Sequence, residues 1–275
     1  MKRFFIEKKH IILVTITLVF FFAGVSSQFI DLTKNNGHDD KYPIFLLAIS
    51  MIGFYLIPMA LGIYYLKKRW EVSDKPLVIS WILGLSATGF LSTIFHMAIG
   101  FFWLNIIQAP QEFLNAWGGS VSAPFAEELA KYLVVLLVLY FAHEKSLKAT
   151  WLSAIIVGLG FQIIEDISYT SVAVFQENTS GFSSLFERIA YSFGTHWVFT
   201  GLFAFGMLVL TRKKLLIPKW KGCIWAISSI ALHFLWNSPI EFDGFDTILG
   251  TVGLLLMYGI FSELDTGKEA CGITG

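Results

Sequence analysis

Four short runs hold most of the residues able to do chemistry: Glu127, Glu128 and Lys131 in A-P-F-A-E-E-L-A-K, Glu165 and Asp166 closing G-F-Q-I-I-E-D, a single His196, and His233 with Asn237 in H-F-L-W-N. Each lies inside a long apolar stretch, where an ionisable side chain is costly unless paired or hydrated, so each is a functional candidate. Carboxylates grouped with imidazoles can draw a proton from water, or hold a metal ion that activates it. The Asn237 amide adds a neutral hydrogen-bond donor.

Residues four apart share a helix face, so Glu127 can meet Lys131, and His233 can meet Asn237. Glu128 points about 100° away from Glu127, which leaves one acid for the site and the other to orient it or to bind a neighbouring helix. Lys131 and Asp166 read as supporting charges. His96 has no partner at helical spacing and reads as a hydrogen-bonded buried histidine. Pro124 removes a backbone hydrogen bond just ahead of the acids, a place where the helix can open to water.

The elements that must position these groups are apolar helices. Of the 275 residues 55% are hydrophobic and 15% charged, with a mean hydropathy of +0.66, which excludes an ordinary soluble domain. Apolar blocks of spanning length run about Ile11 to Ile30, Pro43 to Leu66, Leu77 to Ile107, Gly119 to Ala142, Thr150 to Gln176, Ile189 to Thr211, Gly222 to Pro239 and Asp246 to Ser262. The expectation is an all-α, polytopic transmembrane bundle of about eight helices. Val25-Ser26-Ser27 could pass for a cleavage site, but the first block is long enough to span and is expected to remain.

With the N-terminus inside, sixteen of the 20 lysines and arginines fall in inside segments and only Lys34, Lys41 and Arg188 fall outside. That asymmetry puts both termini in the cytoplasm. The zero net charge gives no basic field for nucleic acid. Cys223 and Cys271 are too few and too far apart for a disulfide framework. Short loops and the absence of repeats imply one membrane-embedded helical domain over 1–275, with residues 119–239 as a four-helix core carrying the polar runs. The small residues Gly158, Gly160, Gly201 and Gly206 read as helix-packing positions. Counting along each helix puts Glu127, Glu165, His196 and His233 roughly 12, 16, 10 and 9 Å below the outer surface. One outward-opening hydrated cavity among the fourth to seventh spans is expected.

In order and spacing, these runs from Val121 to Asn237 resemble the PrsW family of intramembrane proteases. That family is related to the type II CAAX prenyl endopeptidases, whose pattern is a Glu-Glu helix, a Phe-x-x-x-His helix and a His-x-x-x-Asn helix. Here Glu165 follows Phe161 where those enzymes carry histidine, and Lys131 stands one position earlier than their arginine, which favours PrsW. The resemblance implies a bacterial plasma-membrane peptidase acting on a membrane-protein substrate, in some members an anti-sigma factor, while the depth and orientation of the polar runs suit cleavage near that substrate's extracytoplasmic boundary.

The expected chemistry is peptide-bond hydrolysis by a water activated by Glu127, or by its neighbour Glu128, with Glu165 helping to hold the water. His233 and Asn237 would stabilise the oxyanion, with His196 also in the site. No cofactor is expected on this route. A zinc route would use Glu127, Glu165, His196 and His233, and it ranks second because H-E-x-x-H is missing and no two histidines share a helix turn. Neither cysteine lies in the cluster and no serine sits in G-x-S-x-G, which disfavours a covalent nucleophile. The remaining rivals are a non-catalytic membrane scaffold and a carrier; the paired repeats and broken helices usual in carriers are missing.

Overall fold

The computed structural model describes residues 2–33, 39–177, 179–191, 195–213 and 215–266. Cys271, Lys34, Lys214 and Lys268 lie outside the described residues. The described chain is helical, with no strand. Its helices are α1 (Lys2–Thr33), α2 (Tyr42–Ile49), α3 (Gly53–Arg69), α4 (Asp74–Phe101), α5 (Gln111–Ala142), α6 (Leu147–Ser171), α7 (Phe182–Tyr191), α8 (His196–Thr211), α9 (Lys219–Trp236) and α10 (Phe245–Asp265). Short 3-10 turns join Lys41 to α2 and α2 to α3, and π turns extend α4 to Ile106 and α6 to Gln176.

Five segments are long and apolar enough to cross a bilayer by those criteria alone: Lys8–Gln28, Tyr42–Arg69, Asp74–Ile106, Leu147–Gln176 and Phe245–Asp265. The three spans expected between them, α5, α8 and α9, fall short for a physical reason. α5 gives three positions to Glu127, Glu128 and Lys131, α8 is 16 residues long, and α9 starts on Lys219 and Lys221. These helices carry three of the four polar runs, the fourth lying on α6. A charge inside a bundle is tolerated where other helices shield it from lipid.

Two boundaries differ from the sequence reading. α5 starts at Gln111, eight residues before Gly119, and runs unbroken through Pro124. The sixth block does not begin at Ile189: that residue belongs to α7, a separate amphipathic helix, and the span itself opens at His196. The depth counted for His196 from Ile189 therefore has no continuous helix behind it.

Basic segments gather at one end of the bundle. Arg69 pairs with Asp265 at 2.8 Å, Lys221 pairs with Glu263, Arg212 donates to the Lys145 carbonyl, and His10 meets the Tyr140 hydroxyl at 3.1 Å. The second, fourth and sixth connections between spans and both ends of the described chain thus share a face, as an up-and-down bundle requires, and by the positive-inside rule this face is the cytoplasmic one.

α6 is the central helix, its apolar window 89% buried against 11% for α1. It sits between α4 and α8, and the approach is close because glycine faces backbone on both sides. A Cβ on Gly160 would lie 2.6 Å from the Gly84 carbonyl carbon, and one on Gly158 would lie 2.6 Å from the His196 carbonyl oxygen and 2.7 Å from Trp197 Cα. Gly158→Ala is therefore expected to destabilise the bundle by about 1–3 kcal/mol, because the clash is with backbone and no rotamer can relieve it. Thermal unfolding in detergent measures this; an unchanged midpoint would show the contact is looser than described.

Candidate active site

The four polar runs converge. Lys131, fully buried, places its Nζ 2.6 Å from Glu128 Oε1, 3.4 Å from Glu127 Oε2 and 3.2 Å from His196 Nδ1. Its nearer acid is thus the one three residues back, and the expected Glu127 pair is the longer of the two. From α8, His196 Nδ1 lies 3.5 Å from Glu127 Oε2, and from α9, His233 Nε2 lies 3.7 Å from the same oxygen. His233 Nδ1 reaches Glu128 Oε1 at 3.1 Å, and Thr200 donates to Glu128 Oε2.

Because an ammonium can only donate, its bond to His196 Nδ1 makes that nitrogen an acceptor and leaves the proton on Nε2. Nε2 then donates to Glu165 Oε2 at 2.8 Å. The imidazole of His196 thus stands between the two acids, 2.8 Å from Glu165 Oε2 and 3.5 Å from Glu127 Oε2. A carboxylate on the far nitrogen of a histidine is the arrangement that fixes an imidazole for metal binding.

Glu165 and Asp166 are held by a residue that the sequence reading left among outside loop charges. Arg188, on α7, donates to Glu165 Oε2 at 2.7 Å and to Asp166 Oδ1 at 2.6 Å, and it lies over the Tyr169 ring. Tyr55 of α3 donates to Asp166 Oδ2 at 2.8 Å. Asp166, 1% exposed, is thus a structural hub tying α3 and α7 to α6. Asn237 caps α9, and its backbone N–H donates to the His233 carbonyl while the His233 ring turns to the acids. The expected side-chain pairing of these two residues does not form.

A cavity of about 950 Å³ lies over this cluster. Glu127, Glu165, Asp166, His196, His233 and Asn237 line it, and it opens between α7 and the 240–247 segment, at the end opposite the basic loops. Glu128 does not line it. His96 of α4 does, with Nε2 3.9 Å from Glu127 Oε1 and Nδ1 beside Ser92. The reading of His96 as a hydrogen-bonded buried histidine holds for the hydrogen bond, which Ser92 supplies one turn back on α4, and is corrected for the burial: the ring is half-exposed in the cavity, and the acid nearest it, Glu127, stands on another helix where no spacing along α4 could signal it. His96 and residues 240–247 also carry the cavity beyond 119–239.

Residues 75–263 match the PrsW family intramembrane metalloprotease. The chain belongs to this family. No curated protein and no solved structure matches it. Membership of the PrsW family assigns intramembrane proteolysis as the general activity, and the apolar helices make this a multi-pass membrane protein.

The family description carries a metal, and the residues fit one. Glu127, Glu128, His196 and His233 are all buried, and one donor atom from each falls within 4.8 Å of the others. Two imidazole nitrogens with carboxylate oxygens are a zinc donor set, whose tetrahedral edges run about 3.4 Å. Toward Glu127 Oε2, His196 Nδ1 at 3.5 Å and His233 Nε2 at 3.7 Å are near that value; alternatively His233 presents Nδ1, 3.1 Å from Glu128 Oε1, since one imidazole gives one nitrogen to one ion. Glu128 stands in this group where the sequence reading had placed Glu165.

Proposed function

We propose that this PrsW-family protein hydrolyses a peptide bond of a membrane protein near its extracytoplasmic boundary, with Glu127 as the base. The observation that carries the reading is the cavity: Glu127 is the one acid of the buried four that lines it, and it opens away from the basic loops. Glu128, His196 and His233 would hold a zinc ion, three protein ligands being the usual number for a catalytic site. When bound, that ion would polarise the water or the carbonyl oxygen.

The chain's own residues do the rest. Glu127 takes the proton of a water in the cavity, which its carboxylate lines. Glu165 holds His196 in one tautomer and one orientation, and Arg188 holds Glu165. Asn237, on the cavity wall, would donate to the developing oxyanion. An anti-sigma factor fits the substrate class as a single-span protein with an extracytoplasmic segment, and a plasma membrane is where such a substrate would be met.

The test is to compare membrane proteomes of cells carrying the wild-type chain and a Glu127→Gln chain, and to map the new termini. Fragments present only with the wild type are expected to end within a few residues of the extracytoplasmic edge of a span. Termini clustered at cytoplasmic edges would sink this reading.

A further inference from the structure

Lys131 is the largest fully buried side chain among the described residues, and its environment is unusual for a lysine. Its ammonium touches Glu128 Oε1 at 2.6 Å and His196 Nδ1 at 3.2 Å, with Glu127 Oε2 at 3.4 Å and the Phe161 ring face 4.3 Å away. Two of these contacts, with Glu128 Oε1 and His196 Nδ1, are to lone pairs that a metal ion would need. A compact cation ringed by carboxylate, carboxylate, imidazole and a π face already sits where the donor atoms point.

We infer that Lys131 is a built-in competitor for the metal: its ammonium and a divalent ion are alternative occupants of one carboxylate and imidazole cage. The inference rests on the reading of Glu128, His196 and His233 as the metal-holding residues. Two like charges a few ångströms apart repel strongly at low dielectric. His196 Nδ1 has one lone pair, and it cannot serve the ammonium and the metal together; Glu128 Oε1 has two, which Lys131 and His233 Nδ1 already occupy. For the ion to enter, the lysine side chain must withdraw from both atoms. The position and charge of this one side chain therefore set how tightly the protein retains its metal, which a purely structural ion pair would not do.

The measurement is the zinc affinity of the purified full-length protein in detergent, by competition against a chromophoric chelator, with bound zinc counted by elemental analysis. Lys131→Met and Lys131→Gln remove the charge at similar length and are expected to bind one zinc per chain on the order of 10- to 100-fold more tightly than wild type, the range over which groups around a ligand set tune a metal. Lys131→Arg keeps the charge and is expected to bind no more tightly than wild type. Two neutral variants are used because methionine removes one of the donors around Glu128 and glutamine supplies one in its place; unfolding monitored by circular dichroism identifies any that fails to fold. Adding His233→Ala to each folded variant should abolish binding, which fixes the ion to this cage. Equal affinity in all forms overturns the competition and leaves the metal site standing, whereas weaker binding in the neutral variants means the lysine organises the donors. No zinc bound by any form overturns both the competition and the metal-holding assignment.

Discussion

Glutamine at position 127 is expected to lower cleavage by about 10²- to 10⁴-fold, the contribution of a positioned general base, while the protein still inserts and folds. The substitution keeps the shape and one acceptor oxygen. It leaves the shorter ion pair between Lys131 and Glu128 intact, as well as the bond between His233 and Glu128. No buried charge is stranded, so the change is not expected to cost the several kcal/mol of a broken buried pair. The assay is turnover of a reconstituted single-span substrate by purified protein, with thermal unfolding measured in parallel. Wild-type turnover by a folded Glu127→Gln protein would remove Glu127 from the chemistry and favour the scaffold reading, in which the cluster serves packing alone.

Stripping the protein with a strong zinc chelator is expected to reduce cleavage by about 10³-fold, and one equivalent of zinc is expected to restore it. A Lewis acid supplies several kcal/mol of transition-state stabilisation, and each 1.36 kcal/mol is a factor of ten. The sequence alone favoured a metal-free route, and hence survival of activity under chelation. The convergence of both imidazoles on two acids, with Glu165 fixing the far nitrogen of His196, favours the opposite result. Full activity in protein verified by elemental analysis to hold no zinc would return the mechanism to a carboxylate acting alone.

The parts of this molecule that were legible in its sequence obey rules that act along one helix. Apolar runs of spanning length became helices, the alternation of basic loops placed them end to end, and ionisable residues in those runs marked the site because lipid penalises them anywhere else. What stayed hidden depends on contacts between helices. His96 meets Glu127 from another helix, and Arg188 meets Glu165 and Asp166 across a turn of chain that interrupts the apolar pattern. Ile189 extended the sixth apolar block by composition, although it faces the core from the amphipathic α7. The preference of Lys131 for Glu128 over Glu127 was also out of reach, since positions three and four residues apart are both neighbours on a helix and side-chain geometry decides between them.

The glycine contact between α6 and α8 bears on how the centre moves. Where side chains separate two helices, rotamer changes act as a cushion and one helix can shift without carrying the other. At Gly158 nothing stands between the helices, and the backbone of His196 and Trp197 rests directly on α6. Seven residues further along α6 stands Glu165, hydrogen-bonded to the ring of that same histidine. Carboxylate and imidazole are therefore coupled twice, once through the hydrogen bond and once through the main chain. Any displacement of α6, as when a substrate enters against α7, carries both groups together and preserves their alignment, so the linkage has no slack to take up before the site is ready.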